Sequence, residues 1–321
     1  MSSSQILRRA RMAPMSAPVD DPDAPEFVYD ELGHLHENCE EYRLPAPDGF
    51  PVRRVSHPLP DGRSLSALQW GEGAPRAVLV HGGAQNAHTW DTVALALRPT
   101  PLLAIDLPGH GHSDWRTAGA YGPRQNAEDL AHMVRDLVPE PVLVVGMSLG
   151  GLTSNALAAS HPELVRRLVV VDVTPGVNRD KAADVHAFVE GPQRFASFKE
   201  IFERTVEFNP TRTPESLRRG ILHNARRLES GEWEWRYDRG DLDPDGVHSG
   251  AVDLWEDVRA VRAPYLLVRG STSPVVDDDD VAQLERLQPE ARVVVVEGAG
   301  HSVQGDRPLE LAELLRAELE A

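Results

Sequence analysis

A single cysteine, Cys39, stands in 321 residues, which excludes an internal disulfide and suits a reducing cytoplasm. No apolar run approaches the ~18 residues that a membrane span requires. The first residues, Met1 to Ala17, carry Arg8, Arg9 and Arg11 with no apolar stretch behind them, so no secretory signal is expected and the cytoplasm is the expected location. Positive charge is in the minority: 33 Lys and Arg face 50 Asp and Glu, for a formal charge of −17. That balance argues against nucleic acid or an anionic membrane as partner. Internal repeats are absent, and the acidic run Asp277 to Asp280 is the one biased tract. No cluster has full metal-ligand spacing either. His34, His36 and Cys39 lack a fourth ligand nearby, so they read as a surface loop, and neither metal nor organic cofactor is expected. What remains is an acidic, soluble chain, 41% hydrophobic, large enough to bury one α/β core with an inserted lid. The oligomeric state has no signature in the sequence.

Residues 1 to about 40 are rich in Ser, Pro, Asp and Glu without periodicity, and read as a mobile or loosely draped arm. Extended segments at Val52 to His57 and Ser64 to Trp70, separated by Pro60-Asp61-Gly62, predict an antiparallel hairpin. Strand and helix then alternate. Strands are expected at Arg76–Val80, Leu102–Asp106, Pro141–Val145 and Leu168–Val171, with helices at Thr89–Leu97, Arg124–Leu137 and from Gly151 onward. This alternation implies a parallel sheet covered by helices on both faces. The pattern stops after Asp172-Val173-Thr174-Pro175. Helical pieces at 180–189, 195–208 and 214–228 follow, with an aromatic cluster of Trp233, Trp235 and Tyr237. Strands at Tyr265–Gly270 and Val293–Val296 and an amphipathic helix from Pro308 to Leu319 close the chain.

The sharpest motif is Gly146-Met147-Ser148-Leu149-Gly150, set between a β-branched strand and a helix of small residues. In that context a G-x-S-x-G reads as a nucleophile elbow, a strained turn that lifts a serine oxygen above the sheet edge. Three more segments follow strands in the same way. They are His81-Gly82-Gly83-Ala84, Asp106-Leu107-Pro108-Gly109-His110-Gly111-His112-Ser113, and Gly298-Ala299-Gly300-His301. Taken in order over residues 50 to 320, these segments resemble the α/β-hydrolase superfamily.

The resemblance implies a mostly parallel central sheet flanked by helices, with a helical cap inserted over the active site. It divides the chain into the arm (1–40), a first part of the core (41–174), the cap (175–260) and a second part of the core (261–321). It implies Ser148 as nucleophile and His301 as general base. Among 13 histidines, His301 alone follows both a strand and the Gly-Ala-Gly loop. Backbone N–H groups of Gly83 and Leu149 would form the oxyanion hole. His81 is expected to hold loop shape and Asp106 to form a turn. The family's acid departs from its pattern. Where an aspartate usually follows the strand Tyr265–Val268, the chain reads Gly270-Ser271-Thr272-Ser273-Pro274. Asp172, at the end of the preceding strand, is the favoured replacement, and Asp277 the alternative. Trp90 is expected to line the cleft or pack beneath it, and Trp233 and Trp235 to face substrate from the cap.

Serine at the elbow excludes the aspartyl-ester chemistry of dehalogenases and epoxide hydrolases. Hydrolysis of a carboxylic ester or lactone through an acyl-enzyme is the leading reading, with a medium-sized apolar small molecule as substrate. Rival readings are a C–C bond hydrolase of a diketone-type substrate, a thioesterase or perhydrolase, and a non-catalytic ligand-binding homologue.

Overall fold

The computed structural model describes residues 21–116, 121–178, 180–209, 212–239 and 253–321. Helix α1 (Leu35–Tyr42) comes first. Strands β1 (Val52–Pro58) and β2 (Ser64–Trp70) form the predicted antiparallel hairpin. Then follow β3 (Ala77–Val80), a 3-10 turn at Ala87–Trp90, α2 (Asp91–Ala96), β4 (Leu102–Ile105), α3 (Pro123–Leu137), β5 (Val142–Met147), α4 (Leu149–Ser160) and β6 (Val165–Val171). The cap holds α5 (Ala183–Val189), β7 (Arg194–Phe195), α6 (Phe198–Phe208), α7 (Pro214–Asn224), β8 (Ala225–Arg227) and β9 (Trp233–Trp235). The core resumes with α8 (Trp255–Ala260), β10 (Tyr265–Gly270), α9 (Asp278–Leu287), β11 (Arg292–Val296), the short α10 (Val303–Asp306) and α11 (Pro308–Glu320).

The eight-stranded sheet runs β1-β2-β4-β3-β5-β6-β10-β11. β1, β2 and β4 pair antiparallel; every pairing from β4 to β11 is parallel. Each parallel strand sends alternate residues to opposite faces. Val78, Val144, Val170 and Leu267 join Leu130, Leu152 and Leu284 from α3, α4 and α9. Leu79, Val145, Val169 and Leu266 join Leu35, Val93 and Leu311 from α1, α2 and α11. Two apolar layers therefore sandwich the sheet, which explains why its central strands are apolar without alternation.

The described part of the expected arm is no loose arm. Residues 21–42 form a strap tied to both core and cap, while residues 1–20 lie outside the described residues. Asp23 accepts from the Phe198 N–H at 2.8 Å and from Trp233 Nε1 at 2.9 Å. Glu31 pairs with Arg54 at 2.6 Å. His34, His36 and Cys39, read from sequence as a surface loop, lie at or in α1, with Cys39 buried and His34 Nδ1 2.8 Å from Glu37. The apolar positions Leu35 and Cys39, four apart, give α1 a face against the core, a signal too short to see in the sequence.

The cap also differs in detail. Beside its helices it carries a three-stranded antiparallel sheet, ordered β7-β9-β8. The predicted helix at 214–228 ends at Asn224, where the chain turns into β8 to pair with the Trp-containing β9. Phe195, Phe198, Ile201, Ile221, Trp233 and Trp235 form the cap's own apolar core, and Phe27 and Tyr29 of the strap pack on it.

Candidate active site

Three side chains from three strand ends meet in one hydrogen-bonded line. Ser148 leaves β5 with φ 52° and ψ −122°, a conformation that strains any residue bearing a Cβ. The flanking glycines are required by contact. A Cβ on Gly146 would overlap the Gly150 carbonyl, and one on Gly150 the carbonyls of Val80 and His81. The turn is therefore as tight as the backbone allows, and it points Ser148 into a cavity. His301, from the loop after β11, places Nε2 3.1 Å from Ser148 Oγ. Its Nδ1 lies 2.8 Å from Asp172 Oδ2.

Asp172 sits one residue past β6, fully buried, at φ 51°. Its Oδ1 accepts from the Gly270 N–H at 2.9 Å, and its Oδ2 also accepts a short hydrogen bond from Ser273 Oγ. The segment that lacks the family's aspartate thus supplies two donors to a carboxylate on the neighbouring strand. Ser273 was not singled out from sequence as a partner; the missing acid at that slot was the available signal.

Asp277, the sequence's alternative acid, is elsewhere. It caps α9, accepting from the Asp280 N–H at 3.0 Å while Asp280 Oδ2 accepts from its own N–H at 3.1 Å. It also pairs with Lys181 at 2.8 Å. A capping box at a helix start explains the acidic run without chemistry.

The Gly82–Gly83 loop lies against Ser148. A Cβ on Gly82 would stand 2.6 Å from Met147 Sδ and 3.1 Å from Ser148 Cβ, so only glycine fits there without displacing the elbow. Gly83 lines the cavity beside Ser148. The Leu149 N–H belongs to the first turn of α4, among the donors a helix leaves without an internal acceptor. Gln85 Oε1 accepts from the Gly82 N–H at 3.2 Å and lies 3.4 Å from Gln304 Nε2, which donates to Thr89 at 3.1 Å. This glutamine pair, undetected as such in the sequence, braces the loop from below.

His81 and Asp106 act as scaffold. His81 Nε2 accepts from the Leu107 N–H at 2.9 Å, and burial, with His110 nearby, lowers its pKa to about 3, so it stays neutral. Asp106 accepts from the Ala87 N–H at 2.7 Å and from Arg54 at 2.7 Å.

The cavity, about 570 Å³, is lined by core, strap and cap together. Of the three tryptophans expected near substrate, only Trp235 lines it. Trp90 is fully buried in a core layer, so of its two sequence readings packing is the one observed. Trp233 is turned into the cap core by its hydrogen bond to Asp23 and its edge contact with Phe198, centroids 5.1 Å apart. Phe188 and Phe208 supply the other aromatic surface. The expected apolar lining is incomplete, because Asn38, Lys181, Arg212, Arg219 and His223 also face the cavity.

His88, Asp91 and His223 bring donor atoms within 4.8 Å of one another. The two imidazoles stack face to face, 3.7 Å apart at 7°, so their in-plane lone pairs run parallel instead of converging on one point. His88 Nδ1 bonds Asp91 at 2.9 Å, its Nε2 bonds Glu31 at 3.2 Å, and His223 Nδ1 bonds Tyr29 at 2.6 Å. The cluster is an ion-pair and stacking junction between strap, core and cap.

Residues 77–314 match the alpha/beta hydrolase family. Esterase Rv0045c of Mycobacterium tuberculosis is 46% identical over 300 residues, covering 91% of this chain and 96% of that protein. A solved structure of that esterase superposes with a TM-score of 0.79 at 45% identity, over 91% of this chain and 99% of the other. The 2-(acetamidomethylene)succinate hydrolase of Mesorhizobium japonicum is 31% identical over 277 residues, covering 82% of this chain and 93% of its own. No helix among the described residues is long and apolar enough to cross a membrane. A strained serine elbow on a mostly parallel sheet, under an inserted cap, agrees with these likenesses along nearly the whole chain: the protein belongs to the alpha/beta hydrolase family.

Proposed function

We propose that this protein is a serine hydrolase that cleaves a carboxylic ester or lactone through an acyl-enzyme on Ser148. The observation that carries the reading is the Ser148–His301–Asp172 line, with links of 3.1 and 2.8 Å, opening on a cavity of about 570 Å³. The esterase relative supports the bond type.

A serine hydroxyl attacks poorly near neutral pH unless a base removes its proton as the new bond forms. His301 Nε2 takes the Ser148 proton while Oγ adds to the substrate carbonyl carbon. Asp172 accepts from Nδ1–H, which fixes the tautomer that leaves Nε2 free and balances the imidazolium that forms. The carbonyl oxygen becomes an oxyanion held by the Gly83 and Leu149 N–H groups. The C–O bond then breaks, and His301 returns the proton to the leaving alkoxide. In a lactone that alcohol stays tethered to the acyl group. Water, deprotonated by the same nitrogen, attacks the acyl-enzyme, and a second collapse restores Ser148 and releases the acid.

Ser148→Ala tests this directly with p-nitrophenyl butyrate. Its kcat is expected to fall by about a millionfold, the scale of nucleophile loss in serine hydrolases, with unchanged circular dichroism. A fluorophosphonate should label wild type on Ser148, seen by peptide mass spectrometry. Full activity in the variant, or labelling elsewhere, removes Ser148 as nucleophile. A wild type inert on esters and lactones but active on a vinylogous diketone makes the protein a C–C hydrolase.

A further inference from the structure

Three Lys and Arg side chains line the cavity, and their environments differ. Lys181 is bonded to Asp277 and Asp280, each at 2.8 Å. Arg219 is bonded to Glu41, with Glu37 at 3.7 Å. Both are neutralised by the protein itself. Arg212, at the entrance to α7, has no carboxylate within ion-pair distance among the described residues. Its one hydrogen bond runs from Nη2 to Ser216 Oγ at 2.6 Å, and its Nε is buried with no acceptor. Asp306, the acid exerting the strongest electrostatic pull on it, forms no ion pair with it and accepts instead from the Gly300 N–H at 2.8 Å.

A buried guanidinium donor without an acceptor is costly, on the scale of a charged hydrogen bond; Arg63, Arg116 and Arg204 each leave one as well, but of the four Arg212 is the one that lines the cavity. Burial also holds the Arg212 pKa below its ordinary value, the direction expected of a cation short of counter-charge. Its position is informative. A Cβ on Gly305 would stand 3.1 Å from Arg212 Cζ, so the guanidinium lies against the turn that follows His301, where Gly305 N–H bonds Ser302 O at 2.8 Å. The Arg212 side chain thus lines the same cavity as Ser148, together with Asn209, Ser302 and Gln304.

Resting on the ester-hydrolase reading above, we propose that the substrate carries a carboxylate in addition to its scissile ester, and that Arg212 receives it. A guanidinium matches a planar carboxylate through two parallel N–H bonds. Arg212 forms no ion pair among the described residues, and a substrate carboxylate would supply the missing one. A phosphate dianion would need a second cation, and Lys181 and Arg219 are already committed to carboxylates.

The test compares mono-p-nitrophenyl glutarate with p-nitrophenyl valerate, esters of similar length that differ in the terminal carboxylate. In wild type, kcat/KM for the glutarate ester should exceed that for the valerate ester by about tenfold or more, chiefly through KM. In Arg212→Gln that ratio should fall to about one, and Arg212→Lys should restore part of it. Calorimetric titration of free glutarate into Ser148→Ala gives a second measure that needs no turnover. Binding lost in Ser148→Ala/Arg212→Gln supports the assignment. If wild type cleaves both esters equally well, or Arg212→Gln leaves the ratio intact, Arg212 is not a carboxylate receptor while the ester-hydrolase reading stands. If neither ester is cleaved yet glutarate binds through Arg212, it is the hydrolase reading that fails.

Discussion

The Asp172 carboxylate accepts from a backbone N–H, a serine hydroxyl and an imidazole, and each bond fixes one direction of its two oxygens. An amide of the same shape cannot accept at both ends, so Asp172→Asn turns an N–H₂ toward one of these donors and disturbs the His301 tautomer. On the proposed mechanism its kcat should drop by about ten-thousandfold, the penalty known for the same change in a serine triad, with the circular dichroism spectrum unchanged. Asp277→Ala should keep kcat within about twofold. It removes a helix cap and one partner of Lys181, so denaturant titration should show a loss of about 1 kcal/mol. A large kcat loss in Asp277→Ala with none in Asp172→Asn would reverse the assignment of the acid. Much at this scale was legible in sequence. Ser148 and His301 are marked by glycines that only their special turns require. Asp172 was one of two candidates, because the acid's reach across neighbouring strands depends on register, and register has no local signature.

Elements meet at the junction of strap, core and cap. His88 lies between the carboxylates of Asp91 and Glu31, so both of its ring nitrogens must donate and the imidazole holds its charge. Burial is the largest influence and opposes that charge, but the attraction and hydrogen bonds of Asp91 and Glu31 outweigh it and lift the pKa to about 9. His223, stacked on it, is driven by burial and by the His88 charge well below the usual histidine range and stays neutral. A pKa raised from 6.5 means that the His88 contribution to stability is complete below pH 6.5 and is lost as pH rises through about 9. Glu31 shifts the other way. Its hydrogen bonds to His88 and Arg54 overcome the burial penalty and lower its pKa below 4.5, so its contribution is present above that value and fades in more acidic solution. The thermal midpoint of wild type should therefore fall between pH 6.5 and 9.5, and His88→Asn, which cannot hold the proton, should flatten that slope. Equal slopes in the two proteins would mean that other groups set the alkaline limit. None of this junction was visible in the sequence, since Glu31, His88 and His223 are far apart along the chain and surrounded by unremarkable residues.

Across the whole molecule, two apolar layers clamp the sheet and a third lies in the cap, joined through the strap. Trp90 belongs to the second layer and is fully buried, so its removal should be felt as lost packing. Trp90→Ala should cost about 3–5 kcal/mol in chemical denaturation, with residual activity following the folded fraction. A fully stable but inactive variant would return Trp90 to the list of substrate contacts. Sequence alone marked the strands and helices of the core, because their periods are local and a parallel sheet buried on both faces writes itself as short apolar runs; the order of strands in the sheet was set by the fold. Sequence also singled out Ser148 and His301 as the proposed nucleophile and base, because strained turns restrict residue type at single positions. The tertiary structure decided the rest. It selected Asp172 through the alignment of β6 beside β10, made residues 21–42 a strap, and turned Trp233 away from the cavity while Trp235 faces it. It also left Arg212 with an open donor where Lys181 and Arg219 are neutralised. The physical reason is common to all four: whether a charged or aromatic side chain has a partner depends on what distant segments bring to it, and that distance is set only when the chain has folded.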